Sequence, residues 1–191
     1  MSGLPQRTLH SRRMRLRAFT SGDVDALFEI GGDPEVMRYV SKPLWTRREQ
    51  AIEAIERFHA SRLEGTGVVW AMADLEGDRV FGYFTIFGLE PAHRRAMFGY
   101  ALARQAHGKR LASEALPKVL VFAFDELGLR RLEADVDPRN VASRRLLERV
   151  GFVEEGLARE RYENDGQVYD SVRYGLLARE LTPAVRREGL T

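Results

Sequence analysis

The chain contains no cysteine, which excludes disulfides, thiolate metal sites and a cysteine nucleophile. It also has no apolar run of bilayer-spanning length and no charged-then-apolar leader pattern, so neither membrane insertion nor secretion is expected. A dominant charge sign is missing as well. Thirty Lys and Arg stand against 28 Asp and Glu, leaving a formal net charge of +2. So weak a field gives no reason to expect nucleic acid as a partner, and no groove-reading motif or aromatic-interleaved basic stripe occurs. A cytoplasmic location is the expectation consistent with these absences.

What is present is an ordinary globular composition, 44% hydrophobic and 30% charged over 191 residues. That length supports one domain with its own core. There is no internal repeat or linker. Residues 11–180 read as the domain, with 1–10 and 181–191 as loose termini.

Periodicity places the elements. Met14 to Phe19 alternates apolar and basic side chains, as a half-exposed strand does. Thr20 with Asp23 and Thr46 with Glu49 have capping-box spacing, and Asp33-Pro34 restarts a short helix. Val68–Leu75, Val80–Leu89 and Met97–Leu102 are strand-like. Leu111–Leu127 reads as a helix carrying an interior Pro117, Arg131–Val136 as a strand and Asn140–Val150 as an amphipathic helix. Two last strands, Val153–Tyr162 and Gln167–Leu177, flank the turn Asn164-Asp165-Gly166. The order describes a mixed sheet with helices packed on it.

Two runs carry chemistry. In the first, Gly108 lets the backbone turn close to a ligand, Lys109 and Arg110 add charge, and a helix with a slim first turn (Leu111, Ala112, Ser113) follows. Free amides at a helix start accept phosphate. In the second, Asn140 and Ser143 lie on one face at the start of the next helix, either as caps or as hydrogen-bonding groups for a ligand. Basic residues cluster over both runs. They read equally as a solvated face or as partners for several phosphates.

These runs stand in order with Leu16-Arg17, Asp23, Asp33 to Tyr39, Gly99-Tyr100, Ser113-Glu114-Ala115, Glu133, Asp137-Pro138-Arg139-Asn140, Gly151-Phe152, and Asp165-Gly166 with Asp170. In this combination the chain resembles the GCN5-related N-acetyltransferase (GNAT) family, and within it the ribosomal-protein N-acetyltransferase (RimJ/RimL-type) branch. The resemblance implies an α/β (α+β) fold: a mixed, mostly antiparallel seven-stranded sheet with flanking helices and a V-shaped split between central strands. It implies acetyl-CoA as co-substrate and no metal. The cofactor would lie against Leu102, Ala103, Arg104, Gln105, His107, Gly108, Lys109, Arg110, Leu111, Ala112, Ser113, Asn140 and Ser143. A backbone amide near Leu102 or Ala103 would polarise the thioester carbonyl.

The pattern departs from the family at three places. Arg110 stands where glycine or alanine is usual, and either points outward to a phosphate or narrows the cradle. Leu147 occupies the place of a frequent tyrosine acid, which makes Ser143 the candidate partner of the departing thiolate. Met97 replaces a frequent glutamate. Glu133 matches a family acid and is the candidate base, although it reads equally as an ion-paired strand residue; His93 and an unaided water are the other options, and Glu160, like Tyr162, is placed near the acceptor site. Acceptor-side candidates from the resemblance are Arg38, Tyr39, Trp45, Tyr83 and Tyr162, with Phe87 beside them. The acceptor is a protein N-terminal amine or, alternatively, a small amine bound by an acidic wall of Glu133, Glu160, Glu163 and Asp165. A nonenzymatic acyl-CoA-binding module is the third reading. The assembly is expected to be a monomer or homodimer.

Overall fold

Six consecutive residues of one strand, Val68 to Ala73, are all buried, which happens only when both faces of a sheet are covered. The computed structural model describes residues 3–164 and 166–190. Its strands are β1 (Leu9–His10), β2 (Met14–Arg17), β3 (Gly67–Asp74), β4 (Val80–Glu90), β5 (Arg95–Leu102), β6 (Arg131–Val136), β7 (Val153–Asn164) and β8 (Gln167–Leu177). They form one sheet in the order β1-β2-β3-β4-β5-β6-β8-β7. The strand beyond the seven expected is β1, a two-residue edge paired with β2; it is too short to show periodicity in sequence.

Alternation along β3 divides the core. Val68, Trp70 and Met72 face one cluster, with helices α4 (Leu111–Val121) and α5 (Val141–Arg149). Val69, Ala71 and Ala73 face the other, with α1 (Val24–Gly31) and α3 (Glu49–Glu64). Trp70 meets Phe122 edge-on at 5.0 Å between ring centroids. The short α2 (Pro34–Met37) is capped by the Asp33 carboxylate, which accepts from Glu35 N at 2.9 Å.

Several local expectations change. Thr20 and Asp23 are joined as expected, Thr20 N donating to Asp23 Oδ2 at 2.7 Å, but Arg17 adds a bidentate grip on the same carboxylate. The Thr46–Glu49 box does not form; Gln50 Oε1 accepts from the amides of Thr46 and Arg47 instead. Beyond Val121, α4 runs on as a π-turn over Phe122–Glu126.

The termini are not loose among the described residues. Leu9 is buried, and Gln6 Nε2 donates to Val69 O at 2.6 Å. A last helix, α6 (Pro183–Leu190), packs on α4, its Val185 and the preceding Leu181 joining the core cluster of α4. A Cβ on Gly189 would lie 2.6 Å from the Pro117 carbonyl, so the two helices touch backbone to backbone there. The sequence hides this because α6 is short and buries only Val185.

The feature that positions the site lies at the one parallel pair among the described residues. β5 and β6 pair over just three positions, from Arg95↔Arg131 to Met97↔Glu133. Beyond them β5 continues to Leu102 and β6 to Val136 without bonding to each other. The sheet is therefore split from Phe98 onward.

Candidate active site

After β5 the chain makes a 3-10 turn (Arg104–Ala106) and a loop before α4. Two residues of the loop have positive φ, Gly108 at 72° and Arg110 at 59°. A Cβ on Gly108 would meet nothing within 4 Å, so glycine serves the backbone turn rather than a tight space. Arg110 adopts the left-handed conformation usually left to glycine, which accounts for its standing at a glycine position. The first bond into α4 runs from Glu114 N to Arg110 O at 3.1 Å. The amides of Leu111, Ala112 and Ser113 have no acceptor among the described residues, as the first turn of a helix dictates.

These amides open into a cleft of about 970 Å³. Tyr100, Ala101, Leu102 and Arg104 line it from the split edge of β5; His107, Gly108, Arg110, Leu111, Ala112 and Ser113 form one wall. Asn140, Ser143, Arg145 and Arg149 on α5 form the other, with Arg38 and Tyr39 at the rim. Arg110 and Arg145 have no acidic partner among the described residues, and Arg149 donates to Ser113 Oγ at 3.2 Å. The other arginines of the two basic runs are engaged: Arg104 with Asp33, Arg139 with Asp137, Arg144 with Glu154 and Tyr174. The free donors and cations thus face one cavity, which suits a ligand with several phosphates.

Three expected cofactor residues do not line the cleft: Ala103, Gln105 and Lys109. Ala103 is buried and its amide already donates to Phe81 O at 2.8 Å, which removes it as a carbonyl donor. Lys109 gives its carbonyl to Arg13. The His107 ring sits 3.0 Å from the Leu102 carbonyl, an oxygen whose second lone pair can still accept.

Ser143 is buried at the centre of the site. Its amide donates to Asn140 Oδ1 at 3.1 Å, so Asn140 caps α5 with its oxygen and keeps its NH₂ free. Behind Ser143 stands the Tyr100 phenol. Burial raises its pKa, with a hydrogen bond to Ser143 pulling the other way. In sequence, Tyr100 is only the second half of Gly99-Tyr100, and nothing local marks it as Ser143's neighbour.

A second cavity, of about 350 Å³, meets the cleft at Tyr39, Val40, Tyr100, Asn140 and Ser143. Tyr83, Phe87, Met97, Phe98 and Leu147 give it an apolar wall; Lys42, Asp135, Asp137, Arg161 and Tyr162 add polar groups. A smaller recess of about 80 Å³ continues past Tyr39 and Tyr162 to Tyr169 and Asp170. Tyr162 Oη donates to Asp135 Oδ2 at 2.7 Å. Burial and that bond push the phenol's pKa up to about 12.

The structure brings together Arg38, Tyr39, Tyr83 and Tyr162 around these cavities, but not Trp45 or Glu133. The Trp45 ring packs against Gly31, where a Cβ would clash with it. Glu133 sits in the paired part of β6, 2.6 Å from Arg131 Nε and 3.3 Å from Arg95 Nη1. Burial acts to raise its pKa, but the Arg131 hydrogen bond and the two guanidinium charges bring it below the usual range. A carboxylate held so is a poor proton acceptor. Neither Glu160, Glu163 nor His93 lines these cavities, and Asp165 lies outside the described residues. The acidic groups at the second cavity and its recess are Asp135, Asp137 and Asp170, none of them expected from the sequence as a site residue.

A split sheet with phosphate-ready amides on one side and an apolar chamber on the other is the layout of a group-transfer enzyme. The family described as "Acetyltransferase (GNAT) domain" matches residues 13–153. An uncharacterised N-acetyltransferase, p20, of Bacillus licheniformis is 35% identical over 173 residues, 91% of this chain and 97% of that protein. Mycobacterium smegmatis RimJ in complex with CoA-disulfide superimposes with a TM-score of 0.87 at 24% identity, covering 100% of this chain and 96% of RimJ. Vibrio cholerae spermidine N-acetyltransferase, solved with CoA and spermine, gives a TM-score of 0.78 at 23% identity, covering 88% and 97%. The chain belongs to the GNAT family and is an N-acetyltransferase. Among the described residues there is no cluster of three metal-ligating side chains and no helix long and apolar enough to cross a membrane.

Proposed function

We propose that this protein transfers the acetyl group of acetyl-CoA to a primary amine by direct attack in a ternary complex. One observation carries the reading: Asn140, Ser143 and Tyr100 line both the donor cleft and the apolar cavity, so a donor and an acceptor can meet at Ser143. Homologous proteins solved with CoA ligands support the choice of donor.

The amides of Leu111 to Ser113 and the guanidiniums of Arg110, Arg145 and Arg149 hold the phosphates. The Leu102 carbonyl and the backbone towards Arg104 offer a strand edge to the pantetheine. Asn140 Nδ2 is the free donor for an acyl or amide oxygen. When bound, acetyl-CoA supplies an activated acetyl group and a thiol leaving group. Ser143 Oγ gives its proton toward the sulfur as the C–S bond breaks, and the Tyr100 phenol behind it restores that proton. A weakly acidic serine needs such a neighbour.

The acceptor is a protein N-terminal amine in the first reading. With a pKa near 8, such an amine has a sizeable neutral fraction at neutral pH. A small amine is the second reading, favoured by the carboxylates at the acceptor cavity. Ser143→Ala tests the mechanism. Turnover should fall about 10²-fold while calorimetric acetyl-CoA affinity stays within about threefold; equal turnover would remove Ser143 from the chemistry.

A further inference from the structure

Asp135 lies just past the point where β5 and β6 part, on the same alternation face as Glu133 but beyond its arginines. Its side chain is 9% exposed, and it borders both the apolar cavity and the recess behind it. Oδ2 accepts from Tyr162, with Arg161 at 3.5 Å. Oδ1 has no hydrogen-bond partner among the described residues. Of the neighbouring carboxylates, Asp137 gives both oxygens to Arg139 through three bonds, and Asp170, whose Oδ1 accepts from the Glu160 amide, lines the recess but not the apolar cavity. Asp135 is therefore the carboxylate with a free oxygen beside Met97, Phe98 and Leu147.

Resting on the acetyltransfer reading above, we propose that Asp135 binds the acceptor's ammonium and takes its proton as it attacks, and that the acceptor is a primary amine carried on an apolar body. Asp135 Oδ1 accepts one proton from the ammonium and the C–N bond forms at the acetyl carbon. The C–S bond then breaks, and the second nitrogen proton leaves to solvent as the thiol is completed through Ser143. The Asp135 proton then passes through solvent to restore the Tyr100–Ser143 pair, and the net products are the N-acetyl amine, free thiol and one proton. Tyr162 is a positioning residue: its protonated phenol holds Oδ2 and leaves Oδ1 turned to the substrate. The apolar wall receives the body of the amine. A polyamine fits poorly, because Lys42 and Arg161 line the same cavity and repel its remaining charges.

The test uses the full chain with 2-phenylethylamine, a tripeptide with N-terminal phenylalanine, and spermidine. Wild type should acetylate at least one of the first two with kcat/KM at least tenfold above that for spermidine; which of the two is better separates a small amine from a chain terminus. Asp135→Asn should lose 10²-fold or more in kcat/KM and weaken calorimetric binding of the amine to CoA-loaded protein, with CoA affinity and melting temperature retained. Asp135→Ala should regain turnover with added formate, and Tyr162→Phe should show a smaller kcat loss that formate does not repair. Wild-type turnover with an unimpaired Asp135→Asn, or a spermidine preference, overturns the proposal alone. Bound CoA with no turnover for any of the three amines overturns the acetyltransfer reading and this proposal together.

Discussion

A glutamate at position 108 separates the two things the glycine provides, a backbone conformation and an uncharged surface. At φ of 72°, any L side chain costs about 1 kcal/mol. For a chain of this size that lowers the melting temperature by about 3 °C. No packing term adds to it, because the Cβ would enter open space. The charge acts differently. A carboxylate about 5 Å from two phosphate charges, at an effective dielectric constant of about 40, costs about 3 kcal/mol, or about 10²-fold in Kd. Calorimetric titration of CoA into Gly108→Ala and Gly108→Glu reads both. Both variants should melt slightly lower, Gly108→Ala should bind within about threefold of wild type, and Gly108→Glu should lose about two decades. Wild-type affinity in Gly108→Glu would refute the placement of phosphates on this loop.

Further outcomes follow from the same geometry. Arg110→Ala and Arg110→Gly both remove the cation and should weaken CoA binding alike, but the glycine variant should be more stable by about 1 kcal/mol in urea unfolding because it relieves the left-handed strain; equal stability would contradict the assigned backbone. Glu133→Ala leaves Arg95 and Arg131 without their shared partner and should cost about 1–2 kcal/mol of stability, with a far smaller loss of turnover than Ser143→Ala. A turnover loss as large as that of Ser143→Ala would restore Glu133 to the chemistry. Asp23, Glu114 and Glu133 all have folded pKa values below their ordinary ones. Their stabilisation is complete above the unfolded carboxyl values, about 4, and is lost as pH falls through the lower folded values. Urea midpoints should therefore hold steady near neutrality and drop below about pH 4; a flat profile through that range would contradict the ion-pair assignments.

The donor half of the site was legible in sequence because it depends on backbone: a glycine turn, a helix start and a capping asparagine are all local patterns. Arg110 was visible as a departure, and its φ explains how a bulky residue occupies a glycine position. The acceptor half comes from residues far apart in the chain. Tyr100 on β5, Asp135 on β6 and Tyr162 on β7 converge only because the β5–β6 ladder ends at Met97↔Glu133. In sequence Asp135 and Glu133 are equivalent alternating polar positions of one strand. The strand register decides that Glu133 meets Arg95 and Arg131 while Asp135 meets the cavity. Ala103 is hidden for a similar reason, since the acceptor of its amide, Phe81 O, lies on a neighbouring strand.

On the proposed function, this cleft couples thioester cleavage to amine acetylation. The most direct measurement is thiol release from acetyl-CoA with and without a primary amine, with the acetylated amine quantified by mass spectrometry in the same reaction. The expected result is amine-dependent release, one acetyl-amine formed per thiol, and loss of both signals together in Ser143→Ala. Thiol release that is independent of amine, or bound acetyl-CoA that no primary amine discharges, would contradict it.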